Sequence, residues 1–288
     1  MGDRLYLKMR PGFRQPATNG GYMTKVSVFI EETLRSCAVE LMTRFRTGVG
    51  VSTKADASLV TEADLASERV ALERIKSAFP EDMLLSEETH TSATSRPEGR
   101  HVWIVDPLDG TTNFANGYAF FCISIARGIF RKDGSIDVVA GGIMDPVNGN
   151  VYLAERGKGA WMDGKQLKVL PPRPLAKGFL VTGFYFTDPT RLMPEVERFA
   201  RVATQCPAIR RDGSAALDLA LVARGLFDGF WENGLKVWDV AAGALLVAEA
   251  GGVVQNYAPS GAGSWFDPEG PGIVAGNPAT VASIAGLL

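Results

Sequence analysis

WIVDPLDGTTNF, residues Trp103–Phe114, is the most informative stretch of this 288-residue chain. Ile104 and Val105 end an apolar run typical of a buried strand, and Asp106 and Asp109 follow it. Carboxylates at a strand end suit Mg²⁺ or Mn²⁺, which prefer oxygen ligands. The glycine and threonines after Asp109 offer a tight turn whose backbone N–H groups can bind an anion. These features together predict a metal held against a phosphate, although Asp-Pro and Asp-Gly are also common turn formers.

The segments on either side alternate between helix and strand patterns. Val26–Phe45 and Glu62–Ala78 have helical apolar spacing, the second with Thr61 as N-cap and Asp64 completing a capping box. Later helices are predicted over Pro194–Thr204, Ala215–Val222, Val240–Ala250 and Pro278–Ala285. Strands are predicted over Met83–Ser86, His101–Asp106, Phe120–Ile129, Ile136–Ile143, Val151–Ala154, Phe179–Thr182, Ala208–Arg210, Leu226–Trp231, Val253–Asn256 and Ile273–Ala275. Gly157–Gly164 is predicted to end in an Asp-Gly hairpin, and the whole pattern favours sheets covered by helix layers.

Composition argues against several classes of protein. The 30 Lys and Arg against 32 Asp and Glu leave a formal net charge of −2, which argues against nucleic acid as a partner. The 3 cysteines are scattered and fit neither a disulfide framework nor a CxxC metal site. No apolar run reaches the roughly 18–20 residues of a membrane helix, and the N-terminus has no signal-peptide core. We therefore expect a cytoplasmic protein without a membrane partner.

Other catalytic motifs are absent from the sequence. The 2 histidines, His90 and His101, belong to no motif, and no GxSxG elbow, Cys-x5-Arg pattern or phosphate-binding P-loop occurs. The Asp-x-Asp start of aspartyl-phosphate phosphatases is also missing, because the pair here is Asp106-Pro-Leu-Asp109. The carboxylates are therefore the remaining candidates for catalytic groups.

Two segments carry a family resemblance. VDPLDGTTNF (105–114) and WDVAAGALLVAEAGG (238–252) resemble the two signatures of the inositol monophosphatase family, which are Mg²⁺-dependent, lithium-sensitive phosphatases. Supporting elements agree in order, including Lys54, LVTEAD ending at Asp64, LLSEE ending at Glu88, and RRDGSAALDLA starting at Arg210. The resemblance covers about Val26–Ala285. It implies an α+β layered sandwich (α/β/α/β/α), the sugar-phosphatase fold shared with fructose-1,6-bisphosphatase.

The resemblance also implies a set of metal ligands. Glu87, Asp106 and the backbone carbonyl of Leu108 are expected to hold one Mg²⁺, while Asp106, Asp109 and Asp239 hold a second. A third, weaker ion is expected near Glu87, and Mn²⁺ is an alternative cation. Two metals about 3.5–4 Å apart can activate a water and stabilise the leaving oxygen during in-line attack, without a phosphoenzyme.

Three candidate catalytic residues follow from the resemblance: Asp64, Glu87 and Thr111. Asp64 is expected to orient Thr111 and to help position the attacking water. The alternatives are structural, because Asp64 can cap its helix, Glu87 can be a solvated strand end and Asp239 can be an N-cap.

The resemblance implies substrate contacts in two parts of the chain. They are Gly110, Thr111 and Thr112 for the phosphate, and Gly213, Ser214, Ala215 and Glu232 for a hydroxyl-bearing ring. Ser214 has the N-cap as its alternative role. Arg210 and Arg211 either steer anions or form structural ion pairs, and Lys54 helps to organise the loop before Asp64.

The chain is predicted to have two halves that meet at Pro171–Pro174. An N-terminal α+β half, residues 23–170, carries most metal ligands, and a C-terminal α/β half, residues 175–288, carries Asp239 and the ring contacts. Residues 1–22 lack apolar periodicity and are predicted to be a flexible extension, with Met23 as an alternative start.

The expected activity is Mg²⁺-dependent hydrolysis of inositol 1-phosphate by a homodimer, the usual state in the family. Fructose 1,6-bisphosphate, histidinol phosphate, a nucleotide 3′-phosphate or another small polyol or sugar phosphate are alternative substrates, because one or two ring contacts discriminate only modestly. An alternative of another class is a regulatory binding protein on the same scaffold, since some bacterial relatives act on transcription through protein and RNA contacts.

Overall fold

The computed structural model describes residues 24–45, 51–53, 59–89, 95–184, 188–257 and 266–288. The expectations for the 1–22 extension, Met23, Lys54 and His90 concern residues outside these ranges.

The strands of the described residues form three sheets. β1 (Val51–Thr53) and β2 (Leu59–Thr61) make a small antiparallel pair. The largest sheet contains, in spatial order, β3 (Met83–Ser86), β4 (His101–Asp109), β5 (Cys122–Phe130), β6 (Ile136–Asp145), β7 (Asn150–Glu155), β8 (Ala160–Met162) and β9 (Lys165–Gln166). The remaining sheet comprises β10 (Phe179–Thr182), β11 (Ala208–Arg210), β12 (Gly229–Glu232), β13 (Val253–Gln255) and β14 (Ile273–Gly276), in the spatial order β11-β10-β12-β14-β13. In it, β10 runs parallel to both of its neighbours.

Helices cover both faces of the two larger sheets. They are α1 (Lys25–Phe45), α2 (Glu62–Ala78), α3 (Thr111–Ala115), α4 (Pro189–Ala203), α5 (Ala215–Ala223), α6 (Val237–Glu249) and α7 (Pro278–Ala285). α5 and α6 are composed almost entirely of buried small and aliphatic residues, as expected of helices packed on two sides.

The alternation of side chains along the strands assigns the layers. In β4, Trp103 faces the core formed with α1 and α2, and Ile104 faces the core that contains α5 and α6. In β12, Phe230 faces that same central core, and Trp231 faces the outer core formed with α4 and α7. The order is therefore helix, sheet, helix, sheet, helix, and the predicted α/β/α/β/α sandwich is confirmed.

β4 contains the irregularity on which the site depends. The predicted strand ended at Asp106, but the observed strand continues to Asp109. Asp106 pairs with Ser124 and Asp109 pairs with Cys122. An advance of three residues along β4 therefore lies opposite an advance of two residues along β5. This bulge accommodates Pro107, which lacks an N–H. Residues three apart on a regular strand point to opposite faces, so the bulge is what turns both carboxylates to one side.

Other boundaries differ from the sequence prediction for local reasons. The strand predicted from Leu226 begins at Gly229, because Leu226 is 47% exposed in the preceding turn. The helix predicted from Pro194 begins at Pro189, where Asp188 caps it by accepting a hydrogen bond from the Thr190 N–H at 2.9 Å. The Asp-Gly hairpin between β8 and β9 is confirmed. No helix in the described ranges is both long enough and apolar enough to cross a bilayer.

Candidate metal centre

Three carboxylates from different parts of the chain meet at the end of β4. Asp106 and Asp109 come from β4, and Asp239 comes from the first turn of α6. One carboxylate oxygen from each residue lies within 4.8 Å of the other two. The segment around Asp239 was predicted to start its helix at Val240, but α6 begins at Val237. Asp239 is therefore inside the first turn, where it accepts a hydrogen bond from the Lys236 N–H at 2.6 Å.

The three carboxyl groups disfavour one another's charge. Burial raises the pKa of Asp106 well above its usual range, and the charges of Glu87, Asp109 and Asp239 raise it further. Burial and the Asp109 charge raise the pKa of Asp239 in the same way. The pKa of Asp109 rises to about 6, because burial outweighs the hydrogen bonds that favour its ionised form. Without a cation, negative charge on these three carboxyl groups is therefore unfavourable.

Glu87 and Leu108 lie beside Asp106, as the sequence prediction requires. Glu87 follows β3, and its N–H donates to the Val105 carbonyl at 3.2 Å. A hydrogen bond with Glu87 contributes to the raised pKa of Asp106, which places the two carboxyl groups in contact. The Leu108 N–H donates to Asp106 Oδ1 at 3.0 Å, and the Leu108 carbonyl oxygen lies 3.0 Å from Thr111 Oγ1.

Asp64 links the first turn of α2 to Thr111. Its Oδ2 accepts hydrogen bonds from the Thr61 N–H and hydroxyl, at 2.8 and 2.6 Å, so it does complete the predicted capping box. Its Oδ1 lies 3.0 Å from Thr111 Oγ1. Burial raises the pKa of the Asp64 carboxyl group, while the bonds from Thr61 and Thr111 act in the opposite direction. The capping role and the contact with Thr111 are thus both present.

Asp109 connects the cluster of three carboxylates to the start of α5. Its Oδ2 accepts from the Ser214 hydroxyl and from the Ala216 N–H, both at 2.7 Å. Ser214 is the N-cap residue of α5, yet its side chain makes no capping bond. The Asp109 carboxylate occupies that position instead, which is favourable at the positive end of a helix.

The turn after Asp109 requires glycine. Gly110 has φ 95, and a Cβ there would lie 3.2–3.3 Å from Phe120, Phe121 and Gly213. The chain then enters α3, whose first residues are Thr111 and the exposed Thr112. The first N–H groups of a helix have no acceptor within it, so this turn presents donors next to the carboxylates.

Asn113 ties this turn to the segment that carries Gly213, Ser214 and Ala215. Its Nδ2 donates to the Phe120 carbonyl at 2.7 Å and to the Asp212 carbonyl at 2.8 Å. Gly213 has φ 87 and packs against the Asn113 side chain. Ala215 is the buried first residue of α5. The predicted phosphate and ring contacts are therefore brought to one place.

Glu232 lies at the end of β12, facing the same region. Burial raises the pKa of its carboxyl group well above the usual range, and the charges of Asp239 and Asp109 add to that effect. Arg211 acts in the opposite direction. The Arg211 guanidinium lies 5.7 Å from the Phe184 ring centroid, and Arg210 lies 4.9 Å from that of Phe179.

Two buried residues of α2 were missed by the sequence analysis. The Glu68 carboxylate accepts from the Glu88 N–H at 3.0 Å, the Thr89 N–H at 3.1 Å and the Ser86 hydroxyl. It therefore holds the turn that carries Glu87. The Ser67 hydroxyl donates to the Pro107 carbonyl at 2.8 Å inside the bulge. Helical spacing offered a signal, because Glu68 follows Asp64 by four residues and shares its face.

The donor set suits a hard divalent cation. The candidate ligand atoms of Asp106, Asp109 and Asp239 are carboxylate oxygens, which Mg²⁺ and Mn²⁺ prefer. Gathering buried carboxyl groups at such distances is unfavourable unless a cation or protons neutralise them. The residues therefore fit a metal centre, with the turn at Gly110 and its N–H donors directly beside it.

Comparisons with known proteins agree with this geometry. A sequence model of the inositol monophosphatase family matches residues 23–287. The chain is 39% identical over 231 residues to the "Nus factor SuhB" of Pseudomonas aeruginosa, covering 80% of this chain and 82% of that protein. Among solved structures, it is similar to the extragenic suppressor protein suhB of Bartonella henselae, with 34% identity, a TM-score of 0.79 and coverage of 92% and 98% of the two chains. It is also similar to an inositol monophosphatase from Anabaena, with 32% identity, a TM-score of 0.75 and coverage of 91% and 94%.

Proposed function

Because the chain belongs to the inositol monophosphatase family, we propose that it hydrolyses small phosphate monoesters with the help of Mg²⁺, and that inositol 1-phosphate is its principal substrate. The observation that carries this proposal is the cluster of the buried Asp106 with the half-buried Asp109 and Asp239, beside the Asp64–Thr111 pair. Cation ligands and a proton-accepting pair are the two requirements of direct hydrolysis.

The cation ligands we propose are those that meet at the end of β4. Glu87, Asp106 and the Leu108 carbonyl would hold one ion, and Asp106, Asp109 and Asp239 a second. Divalent cations in these positions lower the pKa of an attacking water and stabilise negative charge on the leaving oxygen. Mn²⁺ is an alternative to Mg²⁺ because its ligand preference is similar.

Thr111 and Asp64 would orient the nucleophile. An attacking water would give a proton to Thr111 Oγ1 while the Thr111 hydroxyl proton passes to Asp64 Oδ1 along the existing 3.0 Å contact. The hydroxide so formed would bond to phosphorus as the bond from phosphorus to the alcohol oxygen breaks, which releases the alcohol and phosphate. The Thr61 bonds hold Asp64 in place from the other side. The N–H groups of Gly110, Thr111 and Thr112 would bind the phosphate oxygens.

The acidic Glu232 at the end of β12 supports a polyol monophosphate over a bisphosphate as substrate. Glu232 would supply the acidic group there, and Arg211 is the cation that acts on it. Carboxylates accept hydrogen bonds from hydroxyl groups and repel a second phosphate. Gly213 and Ala215 would pack against the ring, while the Ser214 hydroxyl is already engaged with Asp109. Fructose 1,6-bisphosphate, histidinol phosphate and a nucleotide 3′-phosphate belong in the substrate panel as competitors.

A second candidate function comes from the names of the relatives. The 39% identical protein of Pseudomonas aeruginosa is named a Nus factor, so we also consider a regulatory role on the same scaffold. Separate surfaces could support both roles. An Asp106→Asn variant that no longer hydrolyses phosphate esters but keeps the regulatory role would show that this role depends on another surface.

Homodimer formation and inhibition by lithium are further expectations from family membership. Sedimentation equilibrium tests the first, and inhibition of phosphate release by LiCl, with NaCl as the control, tests the second.

A charge-matched pair of variants tests the proposed hydrolysis. Asp106→Asn keeps an acceptor for the Leu108 N–H but removes a charge, and should lower kcat/KM by at least about 100-fold. Asp133→Asn makes the same change in charge in the turn after β5. β5 is 9 residues long and starts beside Asp109, so Asp133 lies roughly 25 Å away. Equal activity of the two variants would contradict the proposal.

A further inference from the structure

The carboxylate of Glu232 lies directly against Gly183. β10 and β12 are parallel, and Thr182 is paired with Trp231, so Gly183 and Glu232 occupy equivalent positions just beyond that last pair. A Cβ on Gly183 would approach both carboxylate oxygens and the Cδ of Glu232 to well under 3.0 Å, closer than real Cβ atoms come to other atoms. The carboxyl group of Glu232 thus occupies the space that any side chain at position 183 would need.

The backbone does not require glycine at this position. Gly183 is not among the glycines with left-handed φ, so alanine can adopt its conformation. The strand ends are also held together, because the Thr182 hydroxyl donates to the Trp231 carbonyl. A methyl group at position 183 would therefore be accommodated by movement of the flexible Glu232 side chain rather than by separation of β10 from β12.

Two neighbouring residues, Arg211 and Asn233, bear on the orientation of the Glu232 carboxyl group. Arg211, whose guanidinium lies over the Phe184 ring, acts on Glu232 against the larger effects of burial and of the Asp239 and Asp109 charges, which hold the pKa of that carboxyl group well above its usual range. On the next residue, Asn233 Nδ2 donates to Glu195 Oε1 at 2.9 Å, which anchors the chain after β12 to α4. The backbone of residues 232–233 is thus held in place, and the orientation of the carboxylate depends on the absence of a side chain at Gly183.

We propose that Gly183 is a specificity-determining position, whose missing side chain sets the direction in which the Glu232 carboxylate accepts hydrogen bonds from substrate hydroxyls. The inference rests on the proposed phosphatase function and adds to it a residue that need not touch the substrate. Substitution with alanine should turn the carboxylate away from its acceptor position. Esters whose alcohol carries hydroxyl groups should lose affinity, whereas those without such groups have no contact of this kind to lose.

The test compares two substrates across a double-mutant cycle. We would measure kcat/KM for inositol 1-phosphate and for p-nitrophenyl phosphate, which has no alcohol hydroxyls, in wild type, Gly183→Ala, Glu232→Ala and the double variant. Loss of a hydrogen bond predicts that the ratio of the two kcat/KM values falls by about 10-fold in Gly183→Ala, mainly through KM of inositol 1-phosphate. In the Glu232→Ala background, the same substitution should leave that ratio unchanged, because the carboxylate on which it acts is absent.

Gly286→Ala is the matched control. Gly286 has φ −73, and a Cβ there would lie 3.6 Å from its nearest neighbour, so this variant should keep the wild-type ratio. An unchanged ratio in Gly183→Ala, or an equal fall in the presence and absence of the Glu232 carboxylate, would overturn the inference while leaving the proposed function intact. Failure of the wild type to hydrolyse either ester would instead overturn the proposed function, and the inference with it.

Discussion

Thr111 Oγ1 lies 3.0 Å from Asp64 Oδ1, although the two residues are 47 positions apart in the chain. The same hydroxyl lies 3.0 Å from the Leu108 carbonyl, which belongs to the bulge between the two β4 aspartates. The first turn of α2, the bulge and the turn that begins α3 are therefore joined at one oxygen atom. This atom is where we expect the attacking water to be oriented.

Substitution of Thr111 tests that expectation. Thr111→Ala removes the hydroxyl and should lower kcat by about 100-fold or more, as is typical for loss of a group that assists proton transfer. Thr111→Ser keeps the hydroxyl and should recover most of the activity. Steady-state kinetics on inositol 1-phosphate would compare the two, and equally low activity of both would mean that the methyl packing, rather than the hydroxyl, matters.

Asp106→Asn should stabilise the metal-free protein. The Asp106 side chain is 1% exposed and lies among Glu87, Asp109 and Asp239, which raise its pKa. A neutral amide removes this repulsion and can still accept from the Leu108 N–H. Thermal unfolding with a chelator present should show a higher Tm for the variant, whereas added Mg²⁺ should raise the Tm of the wild type much more than that of the variant. A Tm lower for the variant than for the wild type, both in the presence of chelator, would contradict the expected repulsion among the carboxyl groups.

The pH dependence of stability follows from the same cluster. The pKa of Asp109 is raised from 3.8 to about 6 in the folded protein, so folding favours the protonated form. The metal-free protein should therefore lose stability as pH rises from about 4 through about 6, and Asp109 alone should account for about 2–3 kcal/mol. The higher pKa values of Asp106 and Asp239 extend this loss to higher pH. Urea unfolding between pH 4.5 and 7.5 measures it, and saturating Mg²⁺ should reduce the slope. A chelated protein that becomes more stable over this range would refute the assignment.

The ion pair of Arg173 with Asp228 should stabilise the junction between the two large sheets. The Asp228 side chain is 0% exposed, and it also accepts from the Phe179 N–H at 2.7 Å. Arg173→Ala leaves this buried carboxylate without its cation and should cost about 1–3 kcal/mol, less than a fully buried pair because Arg173 is 40% exposed. Arg96→Ala breaks a pair whose two side chains are each 31% exposed and should cost at most about 1 kcal/mol. Similar unfolding free energies of the two variants would contradict the expectation that loss of the more buried ion pair costs more.

The sequence predicted most of the layered fold because apolar spacing is a local property. The strand pattern around Trp103 and the capping box at Thr61 are both seen in the structure. The bulge at Pro107 was not predicted, because it is defined by the pairing of β4 with β5 and not by the residues of β4 alone. That pairing, rather than the spacing of Asp106 and Asp109, directs both carboxylates to one side.

Contacts between distant parts of the chain account for the other omissions. The sequence suggested Ser214 as a ring contact or an N-cap, yet its hydroxyl donates to Asp109, 105 residues away. The support that Glu68 gives to the Glu87 turn likewise joins α2 to the end of β3. Nor did the pattern of β10 indicate that Gly183 makes room for Glu232. Such relationships arise only when the sheets are assembled.

The most direct test of the proposed activity is phosphate release by the wild-type protein from inositol 1-phosphate and a panel of sugar, histidinol and nucleotide phosphates. We predict release that requires Mg²⁺, is fastest with inositol 1-phosphate, stops after chelation and returns when Mg²⁺ is restored. Faster turnover of another ester would keep the metal centre and change the substrate. No release from any ester by folded protein in ample Mg²⁺, or release that persists unchanged after chelation, would contradict the assignment of the carboxylate cluster as a hydrolytic metal centre.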